Sequence, residues 1–306
     1  MALVFDDIVQ SVQLDTSYIS AMDFTNNGSL LAVSYHPREG GNCTRVYRTA
    51  DASLVGEYGS GSGLGVVFSG QGEHLYYLIR LEEGDCELCI VVPGKSMPSR
   101  IATYGNREML HALRRNFDGR FIAILGNAVE IWDMAAQEVI RFKEALNTSV
   151  LVHAWFNRDG SHLYIYGLHD SEVTGLDVNN DVIFGSWPAL TSTGKQVIVS
   201  FSEEYLVTVA GAPRGVFIYH LPSNIRYQPQ VYNQDFFAQP FLFSHDSSLL
   251  ITLEVALRGE YLATDEVVTG PELPVGIPSA VASAWQAPIV AYAIKDSIYW
   301  VRLINQ

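Results

Sequence analysis

The chain has 306 residues, 48% of them apolar, and 19 Lys and Arg against 33 Asp and Glu, a formal charge of −14. That balance argues against non-specific affinity for nucleic acid or anionic membranes, which need a basic surface. No apolar run of about 18 residues that could span a membrane is present, and the acidic start MALVFDDIVQ lacks the basic region of a secretory signal. Three cysteines, Cys43, Cys86 and Cys89, are an odd number and read as reduced thiols in the cytoplasm.

The first segment with strand character, Val4 to Leu14, belongs to no repeat. Seven similar repeats follow it. Each has a short strand, a tight polar turn, a strongly apolar strand and a third strand. In the first, Ala21 to Phe24 leads through Asn26-Asn27-Gly28 to Leu30 to Tyr35 and then Thr44 to Tyr47. In the second, Val66 to Phe68 leads through Gly70-Gln71-Gly72 to Leu75 to Ile79 and Glu87 to Val92.

The third repeat is the most complete. Leu110 to Arg115 is its first strand, and Asn116-Phe117-Asp118-Gly119 its turn. Phe121 to Leu125 is continuously apolar, as expected of a strand buried on both faces. Gly126-Asn127 is a two-residue hairpin signal. Val129 to Asp133 and Val139 to Phe142 complete a four-stranded meander.

The fourth repeat has Ala154 to Phe156, Arg158-Asp159-Gly160, Leu163 to Tyr166 and Val173 to Val178. The fifth has Val197 to Phe201, Ser202-Glu203-Glu204, Tyr205 to Ala210 and Gly215 to His220. The sixth has Phe241 to Phe243, His245-Asp246-Ser247, Leu249 to Leu253 and Tyr261 to Ala263. The seventh has Ala282 to Trp285, Gln286-Ala287-Pro288, Ile289 to Ile294 and Ser297 to Leu303. Gly28 to Gly72 is 44 residues, Gly72 to Gly119 is 47, and Gly119 to Gly160 is 41. Turn, apolar strand and third strand recur in register, which favours the blades of a propeller over a β-sandwich.

Asp118-Gly119 and Trp132-Asp133 make the third repeat resemble a WD-repeat, in which that turn and that dipeptide recur. Gly105-Asn106 stands where a full repeat opens with Gly-His, and apolar residues such as Ile124 replace the second-strand Ser or Thr. Apolar packing must therefore take the place of the buried polar network of a strong repeat. The period extends the resemblance over nearly the whole chain; the Trp-Asp signature covers this repeat alone. It implies a non-catalytic platform that binds a protein or peptide.

The expected fold is all-β: a single closed seven-bladed β-propeller spanning residues 1–306. The seventh repeat leaves no room for a fourth strand. Part of Ile8 to Leu14 should supply it, because a strand from one terminus removes the open edge at the other.

Few features carry chemistry. Cys86 and Cys89 form a C-x-x-C with no second ligand pair, and residues three apart on a strand face opposite ways, so no metal site is expected. The glycine-rich Gly59 to Gly65 opens no helix and reads as a flexible loop between blades rather than a phosphate cradle. Asp177 to Asp181, in LDVNNDV, reads as a hairpin turn rather than a calcium loop. His111 and His153 fall on first strands and show no metal or catalytic spacing. No catalytic residue and no cofactor are expected.

The binding signal lies in loops. Tyr58 to Leu64, Tyr104 to Met109, Trp187 to Gly194 and Tyr232 to Gln239 join blades. His36 to Cys43, Arg80 to Asp85, Leu168 to Ser171, Gly211 to Arg214 and Ala256 to Gly259 join second to third strands, on the same face. Tyr232, Phe236 and Phe237, flanked by Arg214 and Arg258, have the composition that concentrates binding energy in interfaces. The expected function is a protein-interaction scaffold, a subunit of an intracellular assembly. A lactonase- or hydrolase-type propeller enzyme and a small-ligand sensor using the channel are the alternatives.

Overall fold

The computed structural model describes residues 3–105, 110, 112–126, 129–141, 151–167, 172–188, 196–211, 214–223, 225–227, 241–253, 256–274, 276 and 278–305. Its strands form seven four-stranded antiparallel sheets, and the fold is an all-β, seven-bladed β-propeller. No helix long and apolar enough to cross a membrane occurs among the described residues.

Strand β1 (Leu3–Gln13) precedes the repeats. The first blade is β2 (Thr16–Phe24), β3 (Leu30–Pro37), β4 (Asn42–Arg48) and β5 (Leu54–Ser60). The second is β6 (Ser62–Phe68), β7 (Leu75–Arg80), β8 (Cys86–Val91) and β9 (Ser99–Tyr104). The third is β10 (Ala112–Arg115), β11 (Phe121–Leu125), β12 (Val129–Asp133) and β13 (Glu138–Arg141). The fourth is β14 (Leu151–Phe156), β15 (His162–Gly167), β16 (Glu172–Asp177) and β17 (Val182–Pro188). The fifth is β18 (Gln196–Val199), β19 (Tyr205–Gly211), β20 (Arg214–His220) and β21 (Ile225–Tyr227). The sixth is β22 (Phe241–Phe243), β23 (Leu249–Leu253), β24 (Ala256–Tyr261) and β25 (Val267–Glu272). The last is β26 (Ala280–Ser283), β27 (Ile289–Ile294) and β28 (Ser297–Asn305), and its fourth strand is β1.

That closure matches the sequence expectation and extends it. β1 runs antiparallel to β28 from Leu3 opposite Asn305 to Gln13 opposite Ser297, with a bulge between Phe5 and Val9. Leu3 and Phe5 are buried, and Leu14 N donates to Asp296 O at 2.8 Å.

The turns between first and second strands share one device. Thr25, Ser69, Asn116, Asn157, Ser200 and Ser244 directly follow the first strands of six blades. The side-chain oxygen of each accepts the backbone N–H five residues on, at 2.9–3.1 Å. The carbonyl of each accepts the N–H three residues on. That third residue has positive φ: Gly28, Gly72, Gly119 and Gly160, then Glu203 and Ser247. Glycine takes this conformation without a steric cost, which is why it recurs there. Ala284 stands at the corresponding place in the last blade.

The chain divides into two compact units, residues 1–113 with 273–306, and residues 114–272. In the first, Leu14, Ile19, Phe24, Leu31, Val33 and Trp300 pack the last blade on the first, and Trp300 Nε1 donates to Thr49 O at 3.1 Å. A second cluster, Val46, Tyr58, Phe68, Leu75, Tyr77 and Cys89, packs the first blade on the second. In the other unit, Tyr164, Tyr166, Val173, Val199, Leu206 and Tyr219 form one cluster, and Ile198, Val207, Ile218, Phe241 and Leu250 belong to another. Apolar packing holds the blades, as the missing polar network requires. Asp133 of the Trp-Asp pair is held by Arg120 from two nitrogens, at 2.6–3.2 Å. Trp132 Nε1 donates to Glu130 at 2.6 Å.

Two expectations are corrected. The third strand of the sixth blade is Ala256–Tyr261, not Tyr261 to Ala263, because Leu253 already pairs with Leu257. Tyr261 instead begins the turn in which Asp265 has positive φ. Asn127 of the Gly126-Asn127 turn lies outside the described residues, and the flanking Leu125 pairs with Val129. Gly59 to Gly65 is not a flexible loop, since only Gly61 separates β5 from β6. A Cβ on Gly61 would lie 2.4 Å from Arg80 O, and one on Gly63 2.3 Å from Ser34 Oγ. These glycines are required by close approach of backbone to neighbour.

Candidate interaction face

Of the predicted site residues, Tyr232, Phe236 and Phe237 lie outside the described residues, as do the loop 168–171 and His111. Arg214 is the first residue of β20, opposite Gly211, and so sits on a strand rather than within a loop. Arg258 is likewise on a strand, opposite Thr252 and Thr269 in the middle of β24, with its side chain exposed. The alternation of buried Leu257, exposed Arg258 and buried Gly259 is the strand signal that the loop reading overlooked.

The described residues place another group on the first compact unit, where the loops beginning at His36 and Arg80 leave their strands. β2 starts at Thr16, whose hydroxyl reaches His36 O at 2.6 Å and Tyr18 O at 3.0 Å. Register shifts between Thr16 and Tyr18 and between Ile19 and Ala21 leave Ser17 and Ser20 outside the pairing. Tyr18 then faces His36 directly. Its ring meets the imidazole edge-on, with centroids 5.8 Å apart, and the residue is 48% exposed. Ser20 Oγ lies 2.7 Å from Gly63 O and 3.0 Å from Ser34 O, so its proton goes to backbone carbonyls.

Two arginines frame the pair. Arg80, the exposed last residue of β7, donates from Nη2 to Leu110 O at 3.1 Å. Arg38 donates from Nε to Thr16 O at 2.9 Å and lies 3.8 Å from both Asp15 and Asp296. Burial and then the Arg80 charge lower the His36 pKa below its usual value, against a hydrogen bond with the Gly63 backbone that raises it. The imidazole is therefore held toward its neutral form. The group brings together an exposed aromatic edge, an imidazole held toward its neutral form, a guanidinium at the end of β7 and another just beyond β3.

His36 and Arg80 open two of the loops assigned to the binding face from sequence. Arg38 lies within the first of these loops without having been singled out, and Tyr18 was missed. Tyr18 reaches the surface through a register shift that alternation does not reveal, and Arg38 is fixed by a carbonyl twenty-two residues away.

The remaining candidates are engaged structurally. Cys43, Cys86 and Cys89 are buried free thiols. Burial pushes Cys43 and Cys89 up to about 11, far from the thiolate form that nucleophilic or metal chemistry needs. Asp177 accepts from the Asn179 and Asn180 amides at 2.9 and 3.0 Å, and Asp181 has positive φ, so this segment is the expected hairpin turn. His153 lies half-buried in β14 opposite Tyr166. Among the described residues no three His, Cys, Asp or Glu side chains group as a metal site would require. Compared with known proteins, the chain matches no family model and none of the curated proteins.

Proposed function

We propose that this protein is a non-catalytic interaction platform of the WD-repeat-like kind, a subunit of an intracellular assembly that binds a protein or peptide through a loop face. The observation that carries the reading is the Tyr18–His36 pair framed by Arg38 and Arg80. Aromatic and arginine side chains dominate interface energies, and Tyr18 and Arg80 stand on strands whose backbone is already ordered. Three buried free thiols favour a reducing, cytoplasmic compartment.

The test is capture of partners from native lysate, identified by cross-linking mass spectrometry, with wild-type protein and a Tyr18→Ser, Arg80→Gln variant. A partner that cross-links near Tyr18 and falls at least about tenfold in the variant, with an unchanged melting temperature, is the expected result. Capture that is indifferent to both substitutions refutes this face.

A further inference from the structure

The outer strand of the fourth blade differs from its six counterparts. An outer strand exposes unpaired backbone groups, and proteins blunt such edges with charge, proline or brevity. β5 carries Glu57, β9 carries Arg100, and β13 carries Glu138 and Arg141. β21 has three residues including Arg226, β25 carries Pro271 and Glu272, and β1 carries Asp6 and Asp7. β17, VIFGSWP, has no charged residue and no proline before its last position. Its sheet order ends with it.

Three consecutive apolar residues on this strand face solvent: Val182 at 50% exposure, Ile183 at 56% and Phe184 at 42%. A bulge sets Phe184 out of register, since Gly175 pairs with Gly185 but Leu176 pairs with Ile183. The Phe184 ring then lies 4.4 Å from the His162 ring, 5.8 Å from Tyr164 and 5.9 Å from Trp187. Gly175 leaves room for them, as a Cβ there would meet Phe184 Cζ at 2.6 Å and Trp187 at 2.9 Å.

The rim of this strip is acidic. Glu203 Oε2 lies 3.6 Å from His162 Nδ1. Asp159 and Asp177 also interact electrostatically with His162, and Asp181 leads directly into β17. Two copies meeting through this patch would bring like charges together across a two-fold axis, and anionic lipid would be repelled in the same way. A complementary partner needs apolar side chains to cover the strip and cations to meet the rim, one of which can lie over the Phe184 face.

We infer that β17 is a docking strip for an extended segment of a partner protein, with apolar side chains on Val182, Ile183 and Phe184 and flanking Lys or Arg toward Asp159, Asp177, Asp181 and Glu203. The bulge interrupts the edge, so side-chain contacts rather than a continuous added strand carry recognition. This inference does not depend on the Tyr18–Arg80 face.

The probe is an array of short synthetic peptides varying in Lys, Arg, Asp, Glu and apolar content, followed by fluorescence polarisation with the best binder. The expected selection is apolar residues flanked by Lys or Arg. Binding should weaken as salt rises, and Ile183→Lys or Glu203→Lys should each weaken it by more than about tenfold. Ile183 is exposed, so the melting temperature should hold; Val182→Lys serves as a second test should Ile183→Lys lower it. Selection of acidic or uncharged peptides overturns the inference, as does binding unchanged in both lysine variants of β17. A wild-type dimer in light scattering that Ile183→Lys dissociates makes a second copy the occupant and also overturns it.

Discussion

Removing β1 should cripple the last blade, and the size of the effect follows from what the strand contributes. Truncation before Leu14 takes away the pairing with β28 and uncovers an edge whose sequence is SIYWVRLIN. It also removes Leu3 and Phe5, both buried. Burying a large apolar side chain contributes about 1.5–3 kcal/mol, so these two alone amount to about 3–6 kcal/mol. A natural domain has a net stability of about 5–15 kcal/mol, so the loss is a large share of the whole. The assay is denaturant unfolding followed by tryptophan fluorescence, with light scattering to detect association through the bared β28 edge. The truncated chain should unfold at much lower denaturant and associate. A synthetic peptide of residues 3–14 added in trans should restore the midpoint. A truncated chain that stays monomeric with the wild-type midpoint would refute the closure argument.

Gly63→Ala places a Cβ 2.3 Å from Ser34 Oγ and should cost about 1–3 kcal/mol by overpacking, whereas Gly105→Ala meets open space and should stay within about 0.5 kcal/mol in the same unfolding assay. Ser244→Ala removes the acceptor for Leu249 N and should cost about 1–3 kcal/mol, because a buried amide loses its partner. The His36 pKa is lowered in the folded chain, so the unfolded chain binds more protons once the pH falls below the ordinary histidine value. Stability should therefore fall with acidification from about pH 6.5 downward, and His36→Gln should reduce that slope in pH-dependent thermal melts.

How far the fold was legible can be argued from single residues. Gly28, Gly72, Gly119 and Gly160 marked their turns because their composition reports a backbone conformation directly. Glu203 and Ser247 do the same work without a glycine, so only the spacing revealed them. The residue that organises each turn, from Thr25 to Ser244, went unread because Thr, Ser and Asn are chemically interchangeable there and share no letter. Gly59 to Gly65 was misread because glycine signals freedom in isolation and close approach only when its neighbour is known. The candidate face was half legible. Its loops could be located by counting strands, but Tyr18 and Arg38 depend on register shifts and on a distant carbonyl. Val182 to Phe184 were likewise hidden, since an apolar triplet reads the same whether it is buried or bare.

The pairing of β1 with β28 also sets a schedule for the ribosome. β1 is made well before its partner, with about 280 residues between Gln13 and Ser297. At roughly 5–20 residues per second, the first strand waits on the order of 15–60 s before the strand it needs has been made. Throughout that interval it is an unpartnered β-former tethered beside blades that are already assembling. Asp6 and Asp7 fall within its bulge, where they interrupt an otherwise apolar run between Phe5 and Val9. Charges so placed discourage premature pairing with the wrong edge while costing the finished ladder little. Replacing both with threonine would be expected to leave the folded protein intact and to lower its yield during synthesis.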